Sequence, residues 1–136
     1  MRAETADWLR YAEENAAVAK LARREGHLNA CAQNVQQCVE KALKAVVVEL
    51  ALPFRKTHSI TDLRQVVLAA GWDCGLTEEE CELLDTLYLP SKYPLSGVLP
   101  PMDVSPALCD TCLALADCSL EAARRRVPSG PCAQSP

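Results

Sequence analysis

The feature that most constrains the fold is a long helical pattern over residues 28–52, which read LNACAQNVQQCVEKALKAVVVELAL. Apolar side chains recur there every three or four positions, which is the spacing of one face of an α-helix. Polar side chains fall mainly on the opposite arc, and no glycine or proline interrupts the pattern before Pro53. A helix of this length spans roughly 37 Å. The pattern therefore predicts the central rod of a small helical bundle. Its apolar stripe consists of Leu28, Ala32, Val35, Val39, Ala42, Val46 and Leu50.

A first helix precedes this rod and runs to about Glu25. Thr5 or Asp7 is the expected N-terminal cap, and Gly26 ends the helix in the left-handed conformation that glycine adopts at low cost. The short link that follows predicts that the first two helices are antiparallel. The inner stripe of the first helix is predicted to consist of Trp8, Tyr11, Ala12, Ala19 and Ala22.

Three further helices follow the rod. The third is predicted over residues 59–70, and the fourth from a capping box at Thr77 and Glu80 to about Leu87. The last begins after a cap at Asp103 or Ser105. We therefore predict an all-α fold, an antiparallel up-and-down helical bundle of about five helices with a long central second helix.

The chain has 136 residues, 49% of them hydrophobic, which is enough for one folded domain with a proper core. We expect that domain over residues 1–127 and a flexible tail over residues 128–136. The net charge of −4 argues against a generic nucleic-acid binder, because such proteins are usually basic. The N-terminal segment has no apolar core of a signal peptide, and no apolar run reaches the length of a membrane span. We expect a cytoplasmic protein without a membrane segment.

Eight cysteines are many for such a chain. Most fall inside helical patterns, where a free thiol behaves as a small hydrophobic side chain. Cys109 and Cys112 form a CxxC pair, but no second ligand pair accompanies them, as a metal site would usually require. We favour buried free thiols over a metal or redox site, and we predict no metal and no cofactor.

Cationic and aromatic side chains mark one candidate site. Arg55, Lys56 and His58 lie at the entrance of the third helix, where free N–H groups and the positive end of the helix dipole favour a phosphate. Lys92 and Tyr93 lie in a proline-rich loop predicted over residues 89–103, and they would complete the site if that loop folds toward His58. The alternative is that His58 caps its helix and the loop is simply exposed. Glu40, Lys41 and Lys44 are interpreted as a solvated face with an i,i+4 ion pair.

Several motifs of the chain, taken in order, resemble the HEPN domain family (higher eukaryotes and prokaryotes nucleotide-binding). They are the Gln36–Gln37 pair with the following Glu-Lys-Ala-Leu-Lys-Ala over residues 40–45, the Lys-Thr-His over residues 56–58, and the Tyr-x-Pro-Ser-Lys-Tyr-Pro over residues 88–94. The resemblance extends over about residues 5–127.

This resemblance implies a nucleotide or another phosphate-bearing ligand, a homodimer, and a small nucleotidyltransferase as the partner protein in a toxin–antitoxin pair. Many members of the family are ribonucleases with an Arg-x4-6-His motif, which this sequence lacks. The family often has His where this chain has Asn34, and Arg where it has Lys92. We therefore favour a non-catalytic binding and interaction subunit. The alternatives are a ribonuclease toxin that uses His58 and a ligand-free helical dimerisation module.

Overall fold

The computed structural model describes residues 2–53, 56–92 and 104–126, apart from the side chains of residues 88–92 and 126. All regular secondary structure in these ranges is α-helical. The five helices are α1 (Ala3–Arg24), α2 (Leu28–Glu49), α3 (Ile60–Ala69), α4 (Glu78–Lys92) and α5 (Pro106–Arg126). Helix α2 packs against each of the other four, while α1 also contacts α5 and α3 contacts α4. The predicted all-α bundle with a central second helix is confirmed.

The core is built around the apolar stripe of α2. Ala32, Val35, Val39 and Val46 are completely buried. Helix α1 faces them with small side chains, since its buried positions are Ala12, Ala16, Ala19 and Ala22, together with Thr5. Small side chains at these positions allow the backbones of α1 and α2 to pack closely. Tyr11, predicted to point inward, is instead 48% exposed, so that part of the predicted stripe is wrong.

The first helix begins earlier than predicted. Its N-cap is Arg2, which makes no side-chain capping bond, so the predicted cap at Thr5 or Asp7 is wrong. Thr5 is buried instead, and its hydroxyl donates to Glu49 Oε1 at 3.0 Å. At the other end of α1 the prediction is confirmed, because Gly26 adopts a φ of 80°.

The other helix boundaries are closer to expectation. In the capping box, Glu80 N donates to Thr77 Oγ1 at 3.1 Å and Thr77 N donates to Glu80 Oε1 at 2.9 Å, as predicted. Ser105 caps α5 by accepting from Leu108 N at 3.0 Å. Helix α4 continues to Lys92, beyond the predicted end near Leu87, and Pro90 lies in its last turn, where proline cannot donate an intrahelical hydrogen bond. Residues 93–103 of the predicted loop and the predicted tail lie outside the described residues.

The cysteines described by the structure are free thiols, and six of these seven are buried. Burial raises the pKa of the Cys38 thiol to about 12, as expected for a thiol that serves only as an apolar side chain. Cys109 and Cys112 both lie in the buried face of α5. In residues 2–53, 56–92 and 104–126, no group of three or more His, Cys, Asp or Glu side chains could hold a metal ion.

No helix in the described parts of the chain is both long enough and apolar enough to cross a bilayer.

Candidate ligand-binding site

A buried polar stripe runs along the central helix. Gln36, Glu40 and Lys44 are four residues apart and therefore lie on one face of α2. They are only 0%, 3% and 5% exposed. The interpretation of Glu40 and Lys44 as a solvated face is therefore wrong, although the i,i+4 ion pair itself is present. The third residue of that interpretation, Lys41, is half-buried and donates to Asn15 Oδ1 at 2.7 Å.

The charges in this stripe compensate each other. Lys44 Nζ lies 2.8 Å from Glu40 Oε2 and 5.6 Å from the centroid of the Trp8 ring on α1. Gln36 Nε2 donates to Glu40 Oε1 at 3.4 Å, and Gln36 Oε1 accepts from Gln37 Nε2 at 2.8 Å. A buried charge is tolerated only when it is paired and hydrogen-bonded. Here the ammonium, the carboxylate and the amide meet that condition inside the bundle.

His58 connects this buried stripe to the surface. Its Nδ1 lies 3.2 Å and 3.3 Å from the two carboxylate oxygens of Glu40. The Glu40 side chain is 4% exposed, whereas that of His58 is 62% exposed. Gln36 Nε2 also donates to the backbone carbonyl of His58 at 3.3 Å. A buried carboxylate on α2 thus contacts one nitrogen of the imidazole, while much of the ring is exposed to solvent.

The entrance of α3 is occupied by a carboxylate from α4. Asp85 Oδ1 accepts from Ile60 N at 2.7 Å, and its Oδ2 accepts from Thr61 N at 3.0 Å and from Thr61 Oγ1 at 2.7 Å. Ser59 Oγ donates to Asp85 Oδ2 at 3.2 Å and accepts from Asp62 N at 3.2 Å. The expectation that free N–H groups of this helix would hold a phosphate is therefore wrong. An internal anion already takes those donors.

The structure describes only some of the predicted site residues. Lys56 is exposed and lies two positions before His58. Arg55 and Tyr93 lie outside the described residues, and Lys92 is the last residue of α4, with an undescribed side chain. Because Asp85 contacts the entrance of α3, α4 passes close to the turn that carries His58. Lys92 follows Asp85 by about 10 Å along the helix axis. The convergence of all five residues stays a prediction.

Sequence reasoning missed the residues that hold His58 in place. The recurrence of Gln36, Glu40 and Lys44 at intervals of four was a usable signal, because three long polar side chains on one face of a central helix need partners inside the fold. Asp85 gave no comparable signal. Its role depends on tertiary packing between α3 and α4, and nothing in the sequence around it indicates that a carboxylate caps a helix lying 24 residues earlier.

This helical bundle belongs to one known class of domain. The family model described as "HEPN domain" matches residues 5–126, which is most of the chain. The chain belongs to the HEPN domain family.

Two solved structures share this fold. The protein TT1696 from Thermus thermophilus superposes with a TM-score of 0.77 at 24% sequence identity, covering 93% of this chain and 100% of that chain. ST0689, an archaeal HEPN homologue, superposes with a TM-score of 0.68 at 26% identity, covering 89% of this chain and 95% of that chain. A search of curated proteins finds no match.

Proposed function

We propose that this HEPN-domain protein is a non-catalytic subunit that binds a nucleotide or another phosphate-bearing ligand at the turn before α3. The observation that supports this proposal is His58, whose largely exposed imidazole contacts the buried carboxylate of Glu40, which is itself paired with the ammonium of Lys44. A buried ion pair adds little net stability compared with apolar side chains of the same volume. Its position beneath an exposed histidine favours a role in orienting that histidine.

Each proposed site residue has a distinct role. Lys56, Arg55 and Lys92 neutralise the phosphate, Tyr93 stacks on a base, and His58 forms a directed hydrogen bond. Because the N–H groups of α3 already bind Asp85, side-chain cations rather than the helix terminus must hold the anion. Binding through exposed cations is screened by salt, so affinity should fall as ionic strength rises.

A ribonuclease that uses His58 is the second candidate. The contact between Glu40 and His58 favours it, since a carboxylate that orients an imidazole is a recurring arrangement in general acid–base catalysis. The missing Arg-x4-6-His motif argues against it, because Lys cannot make the two-pronged phosphate contact of Arg. We therefore expect binding without cleavage.

Calorimetric titration with mono- and dinucleotides, beside an RNA digestion assay, separates these candidates. Wild type should bind, His58→Ala and Lys56→Ala should bind several-fold more weakly, and RNA should stay intact. His27→Ala and Lys20→Ala are matched controls, because both residues are exposed and lie away from the His58 turn. Equal affinity in all five proteins would remove the proposed site. RNA cleavage that disappears in His58→Ala would instead establish the ribonuclease.

We also propose that the chain forms a homodimer and acts beside a small nucleotidyltransferase in a toxin–antitoxin pair. Tyr11, Val18 and Leu21 are 48%, 42% and 50% exposed, and their spacing places them on one face of α1. An exposed apolar stripe of this kind supports self-association. Val18→Glu should convert a dimer to a monomer in sedimentation, whereas Leu68→Glu, on an equally exposed position of α3, should not. A monomeric wild type would refute the homodimer, and co-purification from the native host tests for the partner protein.

A further inference from the structure

Two of the buried cysteines are in contact where α4 begins. Cys74 precedes the helix, Cys81 lies in its first turn, and the Cys81 thiol donates a hydrogen bond to the sulfur of Cys74. Cys81 N donates to the carbonyl of Thr77 at 3.1 Å, and the capping box at Thr77 and Glu80 fixes the same turn. The backbone between the two thiols is therefore held in place. Two sulfurs in hydrogen-bond contact need only a small displacement to reach bonding distance.

The surroundings of Cys74 favour its thiolate. The hydrogen bond from Cys81 has the largest effect, and with a backbone hydrogen bond from Leu76 and the nearby charge of an arginine it outweighs burial. These contacts lower the pKa of Cys74 to about 7, and the same hydrogen bond raises the pKa of Cys81. Burial raises the pKa of Cys38, by contrast, to about 12. Because the thiolate is the nucleophilic form of cysteine, Cys74 differs in reactivity from a thiol such as Cys38. The arginine is Arg64 on α3.

Cys74 lies close to the protein surface, although its own side chain is buried. It is 1% exposed, whereas its chain neighbours Asp73 and Gly75 are both exposed. A third thiol, that of Cys118 on α5, is half-buried and donates to the carbonyl of Gly75 at 3.3 Å. A bulky oxidant such as glutathione disulfide needs more room than this covered sulfur leaves. A hydroperoxide has only two oxygen atoms, so it is the class of oxidant that fits.

We propose that Cys74 and Cys81 form a peroxide-reactive dithiol site that closes to an intrachain disulfide. The Cys74 thiolate attacks one oxygen of hydrogen peroxide and breaks the O–O bond, which gives a sulfenic acid and a hydroxide that takes up a proton to become water. The neutral sulfenic acid no longer holds the proton on Cys81. The Cys81 sulfur then attacks the sulfenic sulfur, and its proton leaves with the displaced hydroxide as a second water. Two thiols are oxidised to one disulfide, and one peroxide is reduced to two waters. This reaction does not depend on the proposed ligand-binding function.

Mass spectrometry of the full chain after treatment with hydrogen peroxide tests this pair. The reduced protein is treated near neutral pH, unfolded, labelled with N-ethylmaleimide and digested with trypsin, which cleaves after Lys and Arg. Cys74 and Cys81 then share the peptide of residues 65–92, and Cys118 lies in that of residues 93–124. The first peptide should lose both labels and two hydrogens, and dithiothreitol should restore the labels. Cys38 is the matched buried thiol, and it should be oxidised at least about tenfold more slowly because of its smaller thiolate fraction.

Two variants separate the roles of the sulfurs. In Cys81→Ala, oxidation should be slower and should stop at the sulfenic acid of Cys74, which dimedone traps as an adduct absent from wild type. Cys118→Ala should still form the disulfide. Retention of both labels in wild type after peroxide overturns the proposal, as does loss of label at Cys38 at the same rate. A cross-link between the two peptides, through Cys118, overturns the assignment of Cys81. These wild-type results decide the matter even where a variant fails to fold.

Discussion

Removal of the Asp85 carboxylate tests how the entrance of α3 is built. Asp85→Ala deletes an acceptor that serves two backbone N–H groups and two hydroxyls, at distances of 2.7 to 3.2 Å. One of the N–H groups belongs to Ile60, which is completely buried and therefore cannot replace the lost partner freely with water. Ser59 Oγ still accepts from Asp62 N, so α3 keeps one cap.

The expected decrease in the free energy of unfolding follows from these contacts. Loss of a helix cap costs about 0.5–2 kcal/mol. A buried donor without a partner costs about 1–3 kcal/mol. The cost of the lost cap and the cost of the unpaired donor are not additive, because all four hydrogen bonds share one carboxylate. That carboxylate is only half-buried, which reduces both costs. We expect the free energy of unfolding to fall by about 2–4 kcal/mol in Asp85→Ala, and by less in Asp85→Asn, which retains one acceptor oxygen.

Urea unfolding followed by circular dichroism measures this loss. Asp117→Ala is the matched control, because Asp117 is 57% exposed and makes one surface ion pair with Lys20. An exposed ion pair contributes about 0–1 kcal/mol, so the control should remain close to wild type. If Asp85→Ala loses less than about 0.5 kcal/mol, the described cap does not hold α3. The N–H groups of α3 would then again be available to an anion.

Three further outcomes follow from the structure. Val39→Asp places an unpaired charge at a completely buried position and should lose more than about 3 kcal/mol, whereas wild-type thermal melting would contradict the core assignment. For Glu49, burial by itself raises the pKa, but two hydrogen bonds from the first turn of α1 outweigh it, so the pKa is lowered from 4.5. Its stabilisation is therefore present above the unfolded pKa and lost as pH falls through the folded pKa. The stability gap between wild type and Glu49→Gln should close in acid, and a gap independent of pH would contradict this. The Cys81 thiol donates to Cys74 and lowers the pKa of Cys74 to about 7, so Cys81→Ala should delay the appearance of thiolate absorbance in a pH titration.

The architecture was predictable because it depends on local periodicity. The apolar stripe of α2, the left-handed Gly26 and the capping box at Thr77 each follow from a few neighbouring residues, and the structure bears out each one. The predictions are wrong at positions where tertiary contacts determine the role of a side chain. Thr5 has the character of a helix cap, but its hydroxyl is taken by Glu49 on another helix.

Only part of the candidate site could be predicted from the sequence. His58 and Lys56 are visible in the sequence because one histidine follows two cationic residues there. The sequence pattern does not indicate that Glu40 contacts His58, since Glu40 and Lys44 are charged and a charged i,i+4 pair is usually solvated. Their burial became evident only from the packing of α1 and of the turn before α3 over that face of α2. Arg55, Lys92 and Tyr93 would have to approach His58 through tertiary contacts, which periodicity does not encode.

The most direct test of the central claim is amide chemical-shift mapping of the nitrogen-15-labelled protein titrated with adenosine 5′-monophosphate. The largest shifts should lie between Lys56 and Thr61 and at the C-terminal end of α4, and they should disappear in His58→Ala but persist in His27→Ala. Shifts concentrated on α5 or on the outer face of α1, or a pattern that His58→Ala leaves unchanged, would contradict the proposal that the anchored histidine forms the ligand site.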